Sequence, residues 1–327
     1  MRNDRKKRSI RHRISDRSGN CRMRVISRRS RINLTVSGKM PSTPNIPLTA
    51  HDSYAAEEIV LRPGGNSRGY WTELWRYREL FAFLAWRDLK VRYKQTTVGV
   101  AWAVIRPLLV TVIFVTVFGR LANLPSPEGI PYPLLVLAGM TAWQFFATVM
   151  ADGSNSVLSN ANLISKVYFP RVIVPASVVV VAFADLLITG LMTLALMAWY
   201  GVLPPIQVLL LPGMILLALA SALGVGFWLS ALTVRFRDVK ILVPFLVQFG
   251  LYVTPVGFST TAVPERYHPF FALNPMVGVI EGFRWCLLGT GVVDGWVLPI
   301  SVVSAVALLI TGFRYFRATE RQFADII

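Results

Sequence analysis

The chain is poor in the residues on which catalytic and metal chemistry depends. Its 327 residues include two cysteines, Cys21 and Cys286, far apart in the sequence and placed on opposite sides of the apolar segments described below. Their number and spacing exclude a disulfide framework or a cysteine metal site. The three histidines, His12, His51 and His268, are scattered, and neither a His-x-x-x-His nor a Cys-x-x-Cys pair occurs. There is no Gly-x-x-x-x-Gly-Lys-Ser/Thr stretch. The Gly38-Lys39 pair lacks the remainder of that motif, so the chain cannot cradle ATP phosphates in that way. Gly224-Val225-Gly226 has no strand before it and reads as a site of close helix packing. The first 40 residues contain no apolar core of the length a cleavable secretory signal needs, so insertion is expected to rely on the first membrane helix. Charge is sparse at 16% of residues.

What the chain has in excess is apolar surface: 54% hydrophobic residues and a mean hydropathy of +0.52. A soluble domain is nearer to about 45–50% apolar. The excess is concentrated in six stretches, 99–120, 132–152, 172–197, 206–232, 240–258 and 294–314, separated by prolines such as Pro125, Pro127, Pro131, Pro133, Pro170, Pro175, Pro204 and Pro205. At ~1.5 Å per residue each is expected to cross a hydrocarbon core of ~30 Å. The expected fold class is therefore an all-α integral membrane protein with six transmembrane helices.

Positive charge near the helix ends sets the orientation. With the N-terminus in the cytoplasm, the inner side receives Arg87, Lys90, Arg92 and Lys94, then Lys166 and Arg171, then Arg235, Arg237 and Lys240, and finally Arg314, Arg317 and Arg321. The outer loops carry Arg120, Arg266 and Arg284, diluted by Glu128, Glu265, Glu281 and Asp294. Both termini are expected in the cytoplasm.

Residues 1–39 hold 14 Lys and Arg against Asp4 and Asp16, so they supply twelve of the seventeen net positive charges. Such a run reads as a solvated, disordered tail, with anionic lipid or nucleic acid as alternative ligands for Arg5-Lys6-Lys7-Arg8. Composition changes at Met40-Pro41-Ser42-Thr43-Pro44, which motivates the hypothesis that natural translation begins at Met40. A peptide from residues 24–39 in native material would sink it. Residues 41–70 read as a Pro/Gly/Ser-rich linker, so the expected division is 1–70 tail and linker, 71–94 interfacial helix and 95–327 transmembrane domain.

On a helix, Trp71, Trp75, Trp86, Leu89 and Tyr93 fall in one narrow sector, with Arg76, Arg87, Lys90 and Lys94 in another. Aromatics beside cations suit an amphipathic helix lying in the headgroup region, the alternative being a soluble helix packed on another domain. Residues 259–293 are too polar and broken for a span, yet too apolar for a free loop. A re-entrant pair of outer helices turning near Asn274-Pro275 fits that mixture, because irregular backbone at membrane depth survives only where protein or water shields it.

Ionisable residues inside apolar segments are functional candidates. Arg106 lies early in the first span and Asp152 ends the second on the same side, which puts an Arg106–Asp152 pair within reach. Asp185, about 20 Å into the third span, is expected to face protein or a water-filled cavity. Of the abundant aromatics, Trp143, Phe146, Phe249 and Tyr252 are candidates for a channel lining, since aromatic rings stack on sugar faces.

Four blocks resemble a known family. They are Arg87-Asp88-Leu89-Lys90-Val91-Arg92-Tyr93-Lys94-Gln95-Thr96 with Gly99, Trp102 and Pro107; Asn160-Ala161-Asn162-Leu163-Ile164-Ser165-Lys166-Val167-Tyr168-Phe169-Pro170-Arg171; Arg235-Phe236-Arg237-Asp238-Val239; and Leu273-Asn274-Pro275-Met276. With the C-terminal Glu320–Ile327, they are similar to the ABC-2 type polysaccharide export permeases, which export O-antigen, capsule and teichoic acid, and they cover residues 70–327. The resemblance implies a bacterial inner-membrane homodimer joined by two copies of a separate ATPase subunit. That subunit would hold ATP and magnesium, with no cofactor, metal or catalytic residue in this chain and no nucleic acid partner. It further implies a coupling helix near 157–166, with Asn162, Leu163, Ile164, Lys166, Tyr168 and Phe169 toward the ATPase. Trp86, Arg87, Lys90, Arg92, Tyr93 and Lys94 would stand at the substrate entrance, and an outer gate would lie at Asn274 and Pro275. The substrate implied is a lipid-linked glycan.

Two other readings compete. An exporter of a small lipophilic compound would share the family. A membrane glycosyltransferase or lipid-phosphate enzyme would need paired acids or a His and Arg cluster, for which Glu265, Arg266, His268, Glu281 and Arg284 are the sparse candidates.

Overall fold

The computed structural model describes residues 67–94, 99–123, 126, 129–260, 263–290 and 295–323. The tail, the linker up to Asn66, Gln95, Thr96, Pro125, Pro127, Glu128, Asp294 and the last four residues lie outside them, while the expected end of the linker, 67–70, is helical.

The described residues are helical. α1 (Ser67–Arg76) and α2 (Arg78–Lys94) are followed by α3 (Gly99–Phe114), which continues as a π-helical turn, Val115–Leu121. Next come α4 (Tyr132–Ser159), α5 (Ala161–Ile164), α6 (Ile173–Trp199), α7 (Leu211–Arg235, preceded by a 3-10 turn at Ile206–Leu210) and α8 (Val239–Val253). The chain closes with α9 (His268–Ala272), α10 (Pro275–Leu288) and α11 (Val297–Thr319).

Five helices are long and apolar enough to cross a membrane: Ala101–Leu121, Tyr132–Ser159, Ile173–Trp199, Ile206–Arg235 and Val297–Thr319. The expected span 240–258 is shorter. α8 has 15 residues, about 22 Å, and ends at Thr254, whose ψ of 151° is extended. Pro255 follows, and its ring disfavours helical backbone in the residue before it.

α4 is the hub, with residues buried along most of its length. α6 packs antiparallel to it, pairing Thr141 with Thr193 (3.0 Å) and Phe145 with Phe183. α7 and α11 run parallel and nearly touch backbone to backbone. A Cβ on Gly312 would come within 2.2 Å of the Gly224 carbonyl oxygen, so the crossing tolerates only glycine there. This is the close packing that Gly224-Val225-Gly226 led one to expect.

α4, α7 and α11 run in one direction and α6 in the other, so the bundle has two ends. The basic end carries α1, α5, Lys166, Arg171, Arg235 and Arg317, and the far end carries α9 and α10. At the basic end a second apolar core gathers Tyr70, Leu84, Val157, Ile164, Phe169, Ile173, Phe227, Val234, Phe316 and Phe323.

The N-terminal helix differs from the expected single amphipathic rod. A turn at Tyr77 divides it. Leu74, Tyr77, Leu80, Phe81 and Leu84 pack on the second core, while Trp75, Phe83 and Trp86 are exposed. α2 therefore has apolar side chains both toward the bundle and away from it. Tyr93, grouped with Trp75 and Trp86 in one sector, parts from them and turns toward Asp185.

Candidate functional site

α2 packs along α6, and its last turn brings Arg92 and Tyr93 against two carboxylates. The Arg92 guanidinium donates through Nη1 to Asp152 Oδ2 at 2.8 Å and through Nη2 to Asp185 Oδ2 at 2.6 Å. Tyr93 donates its hydroxyl to Asp185 Oδ1 at 2.5 Å, and Thr148 donates to Asp185 Oδ2 at 3.4 Å. Three helices, α2, α4 and α6, are joined through one arginine. Asp185 faces protein, as its depth required, and is 5% exposed. Burial, and then the bond to Asp185, pushes the Tyr93 phenol well above its usual range, so it remains a hydrogen-bond donor.

This corrects one expected pair. Asp152 is held by Arg92, 60 residues away in sequence, not by Arg106, whose side chain is exposed beside the buried Pro107. Asp152 itself is half-exposed. The other cations of α2 remain outside the network: Arg87 bonds its neighbour Asp88, Lys90 sits 5.0 Å from the Trp86 ring centroid, and Lys94 is exposed.

The loop after α4 separates its residues into two sets. α5 is a single turn, and Pro170 starts the return into α6. Ile164 and Phe169, named above as contacts for a partner, are buried in the second core and anchor the loop. Asn162, Lys166, Val167 and Tyr168 are exposed, and Leu163 is half-buried. Tyr168 is pinned from below, where its carbonyl accepts the Tyr77 hydroxyl at 3.1 Å. Val167 belongs with this exposed set and was missing from the candidates. Its apolar character was visible, but the face it would present was not.

At the far end a second arginine is sealed. Arg284 of α10 donates to the Leu135, Phe258 and Val256 carbonyls at 3.1, 2.9 and 2.8 Å, and to Glu281 Oε1 at 3.3 Å. Glu281 also accepts from the Thr260 backbone and hydroxyl. α10 is thereby tied to the start of α4 and to the segment that leaves α8. It packs on α11, α7 and α4, with Gly278 on Ser301, Gly282 on Met214 and Ile280 near Gly139. Asn274 caps α10, accepting the Met276 amide at 3.1 Å, and Pro275 occupies the first turn, where a missing N–H costs nothing.

Of the other charged residues weighed for catalysis, Arg266 stacks on Tyr267, and His268 contacts the Val263 carbonyl at 2.9 Å. The aromatic candidates also divide. Trp143 and Phe146 are buried, the indole fitting against Gly250, whereas Phe249 and Tyr252 are exposed on α8. Phe249 stacks on Phe245, and Tyr252 on Phe114 of α3.

The described residues form a polytopic helical bundle of membrane-length helices, with an ion-pair network where α2 meets it and an apolar loop at its basic end, the arrangement of a multi-pass membrane protein. Residues 79–288 match the ABC-2 type transporter family, and the chain belongs to that family. An O-antigen export system permease protein, RfbA, of Myxococcus xanthus is 28% identical over 257 residues, covering 78% of this chain and 98% of its own length. RfbA of Klebsiella pneumoniae is 27% identical over 252 residues, covering 76% of this chain and 95% of its own. The polysialic acid transport protein KpsM of Escherichia coli is 21% identical over 241 residues, 72% of this chain and 91% of its own length.

Proposed function

We propose that this chain is the membrane permease subunit of an exporter that moves a lipid-linked polysaccharide, of the O-antigen type, across the bacterial inner membrane. The observation that carries this reading is the nearly end-to-end match to export permeases of two organisms, together with a polysaccharide transport relative at lower identity. Energy comes from a separate ATPase subunit that binds ATP and magnesium, with two copies of each subunit in the assembly.

On this reading each part has a task. Both termini and the basic end face the cytoplasm. Exposed Val167 and Tyr168, on a loop anchored by Ile164 and Phe169, form the ATPase contact, because apolar groups on a solvent-facing loop mark a binding surface. α1 and α2 lie at the inner boundary, with Trp75 and Trp86 toward lipid and Lys90 and Lys94 toward headgroup phosphate. α8 and the turn at 254–258 make the sixth crossing. The exposed rings of Phe249 and Tyr252 line the polymer path between protomers, and α9 and α10 form the re-entrant outer gate. ATP-driven motion enters at the loop and reaches the spans through α4 and α6, which flank it.

Deletion of the gene in the source organism tests the substrate. The expected result is loss of a surface polysaccharide and internal accumulation of its lipid-linked form. An unchanged surface glycan would overturn the reading and favour a small lipophilic substrate.

A further inference from the structure

Two carboxylates hold Arg92, and they are of unequal standing. Asp185 is buried, is held from three sides by Arg92, Tyr93 and Thr148, and has little exchange with solvent. Asp152 is half-exposed, and Arg92 itself is one-third exposed. Separating an ion pair at such a position costs little, whereas stripping the partner from a buried carboxylate costs much more. One edge of the guanidinium is therefore fixed inward, and the other is open to exchange.

The exchangeable edge faces an anion position, and a guanidinium fork fits carboxylate and phosphate alike. Given the lipid-linked substrate proposed above, the geometry points to Asp152 as an internal stand-in for that substrate's phosphate. Its carboxylate holds the outer anion position on Arg92 until a lipid diphosphate displaces it. The competitor also sets selectivity. A bulk phospholipid brings a singly charged phosphodiester, little better than the carboxylate it must displace, while a diphosphate brings more charge and more acceptor oxygens. Displacement frees α4 from α2 while the α2–α6 bond persists. α4 is the helix that leads directly into the 160–171 loop, so loading is felt where the ATPase contact is proposed.

The test is a binding titration on the full chain in phosphatidylcholine nanodiscs, with undecaprenyl diphosphate, undecaprenyl monophosphate and inorganic pyrophosphate as probes. Asp152→Asn is expected to tighten diphosphate-lipid binding about two- to fivefold, the range that losing a weak competing ion pair allows. Arg92→Ala abolishes that binding, and Glu79→Gln, which removes one carboxylate charge from α2 away from this network, leaves it unchanged. Asp152→Ala serves as the second variant should the asparagine form fold poorly. Unchanged or weaker binding in both Asp152 variants would overturn the proposal, as would equal tightening in Glu79→Gln. Pyrophosphate binding as tight as that of the lipid would overturn the lipid assignment. Failure of the exchange is separable from failure of the polysaccharide reading. If gene deletion abolishes surface glycan but Asp152→Asn does not tighten binding, only the exchange falls. An unchanged surface glycan removes the substrate reading whatever Asp152 does.

Discussion

Two arginines organise the two ends of this bundle, and they do so in opposite ways. Arg284 at the far end is 2% exposed and satisfied largely by backbone carbonyls, with the Glu281 carboxylate beside them. Arg92 at the basic end is bound to two carboxylates and stays reachable. Carbonyls cannot leave without unravelling the backbone they belong to, whereas a half-exposed carboxylate can swing away. The far-end arginine is a staple and the basic-end arginine is a joint. The difference follows from burial and partner type, since a charge removed from water is stable only while all its bonds are made.

That contrast can be broken in order of size. Arg284→Met leaves three buried carbonyls and the Glu281 carboxylate without their donor. It is expected to cost about 3–5 kcal/mol, read as a large loss in folded yield or unfolding midpoint in detergent. Gly312→Ala drives a methyl into the Gly224 carbonyl and prises α7 from α11, at about 1–3 kcal/mol by the same measurement. Asp185→Asn keeps the shape but removes the charge that Arg92 and Tyr93 share, and about 2 kcal/mol is expected. Tyr93→Phe, which loses one donor to that carboxylate, is expected to cost about 1 kcal/mol. Asp152→Asn, at the exchangeable position, is expected to cost under about 1 kcal/mol. A cost for Asp152→Asn as large as that for Asp185→Asn would remove the distinction between the exchangeable and the fixed partner of Arg92.

Much of this architecture was legible in the order of residues, and what was not has physical causes. Long apolar runs between prolines located five membrane-length helices because burial in lipid demands such runs. α8 was overextended because hydropathy continues past Thr254, although Thr254-Pro255 already marked the break. The Arg92–Asp152 bond could not be read, since it joins residues far apart in sequence and depends on α2 descending along α6. The apolar loop at 160–171 was recognisable, but only packing decides that Ile164 and Phe169 point inward while Val167 and Tyr168 point out. Trp143 read as a channel aromatic for the same reason, and the Gly250 that receives its ring carries no such label in the sequence.

The central claim is that this chain is a permease driven by a separate ATPase that docks on the exposed side of that loop. The most direct measurement is affinity capture of the tagged chain from native membranes, comparing wild type with Tyr168→Asp and Ile164→Val. The expected result is an ABC ATPase that copurifies with wild type and Ile164→Val, and is lost with Tyr168→Asp while the chain itself stays folded. Retention of the ATPase by Tyr168→Asp, or its absence from wild type under conditions that hold a control ABC complex together, would contradict the account.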